Sequence, residues 1–221
     1  KPVAMEVRTI GGEDHLFASG KGKHGGSWKN RFYTKNLTTG DSTFCAGNYG
    51  GSLGTVIKKG YDLTVDNSGN YIYYIYRGNI YGYALTESGD NYCPADTGMD
   101  RFLKKGNSDS TIRSASGIDI SRGGTSKNNI MYVVSHSKNT IQKVKIDDGN
   151  DTACGTSCTV ESLAEAGRKK RSNNTADPGE LAAASVNLWR PGTLYISSSK
   201  IWITDLKGSV QEFNENIFES S

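Results

Sequence analysis

GIDISRGGTSKNNIMYVVSHSKNTIQKVKIDDG, Gly117 to Gly149, decides how the rest of the chain is read. It divides into three strand-like runs: GIDIS (117–121), NIMYVVS (129–135) and TIQKVKID (140–147). Gly, Ser, Lys, Asn and Asp gather at the two joints, as turn backbone requires. In NIMYVV, apolar or aromatic residues fall on both faces of the strand, whereas a sheet with one wet face alternates apolar with polar. A small sheet that is apolar on both sides cannot stand alone and must be covered by a neighbour on each face. The stretch therefore predicts one unit of a repeated, radial β-architecture.

Weaker copies follow the same order. In Tyr61 to Leu85, strands are expected over 61–65, 70–76 and 80–85, with turns at Asp66-Asn67-Ser68-Gly69 and Arg77-Gly78-Asn79. In Ser185 to Phe213, Arg190-Pro191-Gly192 is expected as a turn, followed by strands over 193–197, 200–206 and 209–213, with a hairpin at Ser198-Ser199. The N-terminal quarter matches least. There, His15–Ser19 and Asn30–Lys35 are expected as inner strands separated by an insertion, Gly20–Lys29. The middle strands centre near Leu16, Ile72, Met131 and Leu194, at spacings of 56, 59 and 63 residues. Propeller blades usually repeat every ~40–50 residues, so the excess is assigned to inter-blade segments 87–110 and 148–178. The expectation is a single all-β, β-propeller-like domain of about four blades, each roughly 55–63 residues long, with approximate repeats 1–50, 51–105, 106–160 and 161–221. Val160–Gly167, VESLAEAG, is expected as a short helix. Pro2–Arg8 is expected as a strand that pairs with the C-terminal blade and closes the ring.

The reference unit resembles an NHL-type propeller repeat through Gly117-Ile118-Asp119-Ile120, Asn129 to Ser135 and Asn139 to Val144. Tyr61–Leu85 resembles it in outline and Ser185–Leu206 loosely. Low-density-receptor-type YWTD propellers share this look. Thr140 stands where the NHL pattern has Arg, and Ser135 where it has Asp. Those departures remove polar contacts that tie neighbouring blades in the family. The resemblance implies a ring of β-blades and leaves the blade number open: a compact ring, part of a longer chain, or an open fan completed by another copy.

Composition narrows the function classes. A formal net charge of +3 is too small to argue for nucleic acid. No run of eighteen apolar residues is present to span a membrane as a helix. Four cysteines allow three pairings. Cys154 and Cys158 enclose only Gly155-Thr156-Ser157 and suit a local staple, which leaves Cys45 to pair with Cys93 across about one repeat. Three Asn-x-Ser/Thr triplets, at Asn36, Asn150 and Asn173, sit in expected turns or loops where a glycan is tolerated. Together with the abrupt start at Lys1-Pro2, these features point to a secreted, extracellular protein.

A search for catalytic patterns assigns no catalytic residue, no metal ligand and no cofactor. No Gly-x-Ser-x-Gly occurs, and Gly20–Gly26 lacks phosphate-loop spacing. His15, His24 and His136 invite comparison with NHL-like amidating lyases, which hold a metal on propeller histidines, but His136 falls in an expected hairpin turn facing solvent. Asp147 to Asp151 lacks the ligand ladder of an EF-hand. Aromatic residues are the remaining clue, and Trp28, Trp189 and Tyr83 are the candidate binding residues. Alternate tyrosines such as Tyr71, Tyr73 and Tyr81 also suit blade-to-blade filling. Arg168–Arg171 reads as a solvated loop, a processing site or an anionic-glycan contact. The leading expectation is a non-enzymatic binding or assembly module that recognises an extracellular protein, or itself, through blade-end loops. A lectin with inter-blade sugar sites and an NHL-like metal-dependent lyase or hydrolase are the alternatives.

Overall fold

A computed structural model describes residues 2–24, 27–45, 62–95, 100–103, 106, 111–121, 128–138, 140–147, 159–165, 191–197, 200–205 and 210–214. The described secondary structure is entirely β, in several small antiparallel sheets that follow chain order. The first sheet holds β1 (Pro2–Ile10), β2 (Glu13–His24), β3 (Ser27–Asn36) and β4 (Ser42–Phe44), paired in that order. The second holds β5 (Leu63–Val65), β6 (Tyr71–Tyr76), β7 (Asn79–Ser88) and β8 (Asn91–Pro94). Strand β7 also pairs through Ile80 and Gly82 with β9 (Asp100–Leu103), so its two halves have different partners and the sheet forks. The third sheet is β10 (Gly117–Ile120), β11 (Asn128–Ser135), β12 (Thr140–Asp147) and β13 (Thr159–Glu165). The fourth is β14 (Pro191–Ser197), β15 (Lys200–Asp205) and β16 (Val210–Asn214).

The reference unit forms as expected. Val133 pairs with Ile118 on one side and Gln142 on the other, and Met131 with Ile120 and Val144. The hairpin of the second unit turns at Arg77 (φ 52°) and Gly78 (φ 76°), two consecutive left-handed residues. That is the type I′ geometry whose twist matches a two-residue hairpin.

Four expectations are corrected. The expected helix is not formed over its described part, 160–165: Thr159–Glu165 is strand β13, paired to β12 with Val144 opposite Val160. Helix propensity in VESLAEA loses to the open edge of β12, which offers a full row of unpaired amides and carbonyls. Among the described residues, strand β1 does not pair with the C-terminal sheet. It pairs with β2, placing Val7 opposite Leu16 and Arg8 opposite His15. Gly20–Lys29 is not an insertion between strands, because β2 and β3 run on as one long ladder with Lys23 opposite Trp28. Pro191 and Gly192 belong to β14 rather than to a turn.

Packing explains why the sheets associate. Ile72 and Tyr74 of β6 pack with Phe17 and Phe32 of the first sheet, while Tyr73 and Ile75 of the same strand pack with Ile118, Met131 and Val133 of the third. The third sheet in turn sets Tyr132, Val134 and Ile141 against Leu194, Ile196, Ile201 and Phe213 of the fourth. Three apolar layers therefore separate four sheets, and the second and third sheets are buried on both faces. First strands lie beside first strands: β5 neighbours β1 and β10, and β10 neighbours β14. Gly117 marks the tightest of these approaches. A Cβ there would stand 2.8 Å from the Thr193 Cα and 3.0 Å from the Leu194 N.

The disulfide expectation holds. Cys45, at the end of the first sheet, is bonded to Cys93 in β8 with Cα atoms 5.5 Å apart, 48 residues along the chain. Cys154 and Cys158 lie outside the described residues.

Three outcomes check this packing and its disulfide. Phe17→Ala removes a fully buried ring from the layer between the first two sheets, and should cost about 3–5 kcal/mol in urea unfolding. Val210→Ala, at a 64% exposed position, should change stability by less than about 0.5 kcal/mol. Reduction of the Cys45–Cys93 bond should cost up to about 4 kcal/mol on the chain-entropy account.

Candidate functional site

The sequence places one acid amid apolar neighbours in or beside each of the first three first strands: AMEVR holds Glu6, YDLTV holds Asp62 and GIDI holds Asp119. The structure brings all three together. Glu6 Oε2 accepts the Val65 amide at 3.0 Å, tying the first sheet to the second. Asp62 Oδ2 accepts the Ile118 amide at 3.1 Å, tying the second to the third. Asp119 Oδ2 accepts the Ile196 amide at 2.7 Å, tying the third to the fourth. Each junction thus carries a charge-assisted bond from a carboxylate to the backbone of the following sheet, stronger than a neutral one.

Arg8 of β1 lies across this row with only 2% of its surface exposed. Its Nη2 is 2.7 Å from Glu6 Oε1 and 3.4 Å from Asp119 Oδ1, and it donates to Thr64 Oγ1 at 3.2 Å. Its Nη1 donates to Asn67 Oδ1 at 3.1 Å. Thr64 Oγ1 donates to Asp119 Oδ1 at 3.0 Å, and Asn67 Nδ2 donates to the Ser121 carbonyl at 2.8 Å. A buried guanidinium is tolerable only with this density of acceptors. Asp62 differs from its neighbours: its oxygens accept the Ile118 and Leu63 amides, and no ion pair reaches it among the described residues. Burial pushes its carboxyl up to about 7, opposed by the two amides and reinforced by the charge of Asp119.

Residues from all four first strands line a half-open pocket of about 310 Å³ beside this row. Its lining is mainly apolar, including Met5 and Val7 of β1, Leu63 of β5, Ile118 of β10, and Leu194 and Tyr195 of β14, with Leu16 of β2 alongside. The carboxyl-bearing residues Glu6, Asp62 and Asp119 complete the wall.

The candidate residues read from the sequence are placed elsewhere. Tyr83 is 2% exposed and packs edge-on against Tyr74 with centroids 6.0 Å apart, so it fills space between sheets and presents no surface for a ligand. Tyr73 is likewise buried. Trp28 lies in β3, and Trp189 lies outside the described residues. Asn36 is fully buried. Its Nδ2, the atom a glycan would occupy, donates to Glu13 Oε2 at 2.6 Å, and its Oδ1 accepts the amides of Thr38 and Thr39. It caps the β3–β4 turn. Asn150, Asn173 and Arg168–Arg171 lie outside the described residues. His15 is buried against Tyr92, with ring centroids 5.1 Å apart, and desolvation lowers its pKa against the pull of Glu13 and Asp14. His136 is exposed in the β11–β12 turn. Among the described residues, no group of three or more His, Cys, Asp or Glu is placed to hold a metal ion, and no helix is long and apolar enough to cross a membrane.

Sequence reasoning passed over the acidic row. Its signal was a lone acid inside or beside a short apolar strand, occurring once in each of three units. No protein-family model and no curated protein sequence matches the chain.

Two substitutions test the row. Asp119→Ala strips a counter-charge from buried Arg8 and should destabilise the fold by about 3–5 kcal/mol. Asp62 gives a pH signature. Its folded pKa, about 7, lies above the ordinary aspartate value of 3.8, so between these values the folded state binds the extra proton and stability falls as pH rises. Asp62→Asn should flatten this slope in urea midpoints measured from pH 4 to 8. An unchanged slope would show that other groups produce it.

Proposed function

We propose that the chain is a secreted, non-enzymatic binding module, built as an open propeller-like arc, that docks a protein partner through the outward faces of its first and last sheets. The carrying observation is the distribution of exposed apolar surface. Among the described residues six large hydrophobic side chains are exposed: Met5, Val7, Leu37, Phe44, Tyr195 and Val210. Five of them lie on the two terminal sheets, on the faces turned away from the buried layers. Met5, Ala18, Tyr33 and Phe44 form one row across β1–β4 by register, with Tyr33 and Phe44 in ring contact at 5.1 Å. Contiguous exposed apolar rows of this kind are characteristic of interaction surfaces. The carboxylate-to-amide tie found at each internal junction has no counterpart between the fourth sheet and the first among the described residues, and Pro191–Ser197 contains no acid to make one. This supports an arc with two free ends over a sealed ring. The Cys45–Cys93 bond fits an oxidising, extracellular setting.

A second copy of the chain is the simplest partner, since it supplies the same two apolar faces. Light scattering across a concentration series should then show reversible association, abolished by Met5→Asp with Phe44→Asp. A wild-type chain that stays monomeric up to about 1 mM, where even ~4 kcal/mol of association registers, ends the self-assembly form.

One observation favours a glycan as a second reading. Tyr195 and Trp202 stand side by side on the outward face of the fourth sheet, with centroids 5.9 Å apart and ring planes 30° from parallel. The Trp202 Nε1 donates to Glu212 Oε2 at 2.9 Å, and Lys200 pairs with the same carboxylate. Such a platform suits stacking on a sugar face. Glycan-array binding lost in Trp202→Ala would move the function to this reading.

A further inference from the structure

The cavity between the first strands has a charge balance that its own residues leave incomplete. Three carboxylates, Glu6, Asp62 and Asp119, stand in its wall, and one guanidinium, Arg8, lies against them. Arg8 is engaged by Glu6 and Asp119, whereas Asp62 has two backbone amides and no cation among the described residues. The remaining wall is aliphatic and aromatic. A volume of about 310 Å³ falls at the small end of ligand pockets.

We propose that this cavity binds a primary ammonium ion carried on an apolar chain, with the cationic head at Asp62 and the hydrocarbon along Val7, Leu63, Ile118 and Tyr195. The pocket shares its rim residues Met5, Val7 and Tyr195 with the outward faces that carry the protein-binding reading, whereas Asp62 is not among the exposed residues of those faces, so ligand binding and self-association are read out separately. Other ligand classes fit less well. An anion meets three carboxylates. A neutral apolar molecule brings no counter-charge to Asp62 and leaves it to its two backbone amides or a proton. A hard divalent cation needs six or more oxygen ligands, and an aliphatic wall does not provide them. An ammonium ion pairs with the one carboxylate of the three that no cation reaches among the described residues, and its hydrocarbon replaces water against the apolar lining. The raised pKa of Asp62 is consistent with this, because the proton is the cation that occupies the carboxyl when no other is at hand.

n-Hexylammonium chloride is the probe, with n-hexanol and sodium hexanoate as controls. Titration followed by NMR of the Leu63, Ile118 and Leu194 signals should saturate with hexylammonium, more tightly than with hexanol, and show no binding of hexanoate. Since the amine stays protonated and Asp62 ionises near 7, affinity should be about tenfold higher at pH 8 than at pH 6. Asp62→Asn should abolish both the pH dependence and the preference over hexanol. Because Asp62 also ties two sheets, a second variant guards against misfolding. Val7→Lys, at a 44% exposed position on the cavity rim, should keep the fold and block hexylammonium with its own ammonium group. Hexylammonium binding that equals hexanol at both pH values, or that persists in Val7→Lys, overturns the proposal, whatever the association state of the protein.

Discussion

The Asp119 carboxylate holds the molecule together. One oxygen takes the Ile196 amide of the fourth sheet, and the other takes Thr64 of the second and lies within reach of Arg8 of the first. A single side chain of the third sheet therefore touches every other sheet. Apolar layers supply most of the driving force for association, but they are non-directional. The acid-to-amide bonds fix which strand lies beside which, and at what height. Polar groups at this depth are costly unless satisfied, so a sheet that slid past its neighbour would strand a charge in an apolar layer.

This division of labour accounts for what could be read from the sequence. Strands β6, β7, β10, β11, β12, β14 and β15 were legible because their apolar and aromatic residues come in short runs punctuated by Gly, Asn and Asp. The same pattern revealed that the middle sheets are greasy on both faces, as Tyr73 beside Tyr74 demonstrates. The Cys45–Cys93 pairing followed from the local spacing of the other two cysteines. Segment 160–167 was misread because its composition favours helix, while the β12 edge that captures it is visible only in three dimensions. The length of β2 and β3 was missed because Lys and Gly dominate 20–29, and a ladder held by its backbone does not need apolar side chains.

The site was less legible than the fold. Exposed aromatics were sought, and Tyr83 proved to be filler. The polar ties expected from the resemblance, at positions 135 and 140, are Ser and Thr here, and the chain makes its ties from Glu6, Asp62 and Asp119 instead. Each looks unremarkable alone; only their convergence on Arg8 and on one cavity gives them meaning. That convergence depends on separations of more than fifty residues, as with Arg8 and Asp119, 111 apart. No local pattern encodes it.

The three ties share a direction: the acceptor always belongs to the earlier sheet and the amide to the later one. A polypeptide leaving the ribosome N-terminus first has therefore always synthesised the acceptor before the amide that it will hold. The row of ties thus runs in the order of the chain, each carboxylate lying upstream of the amide that it holds.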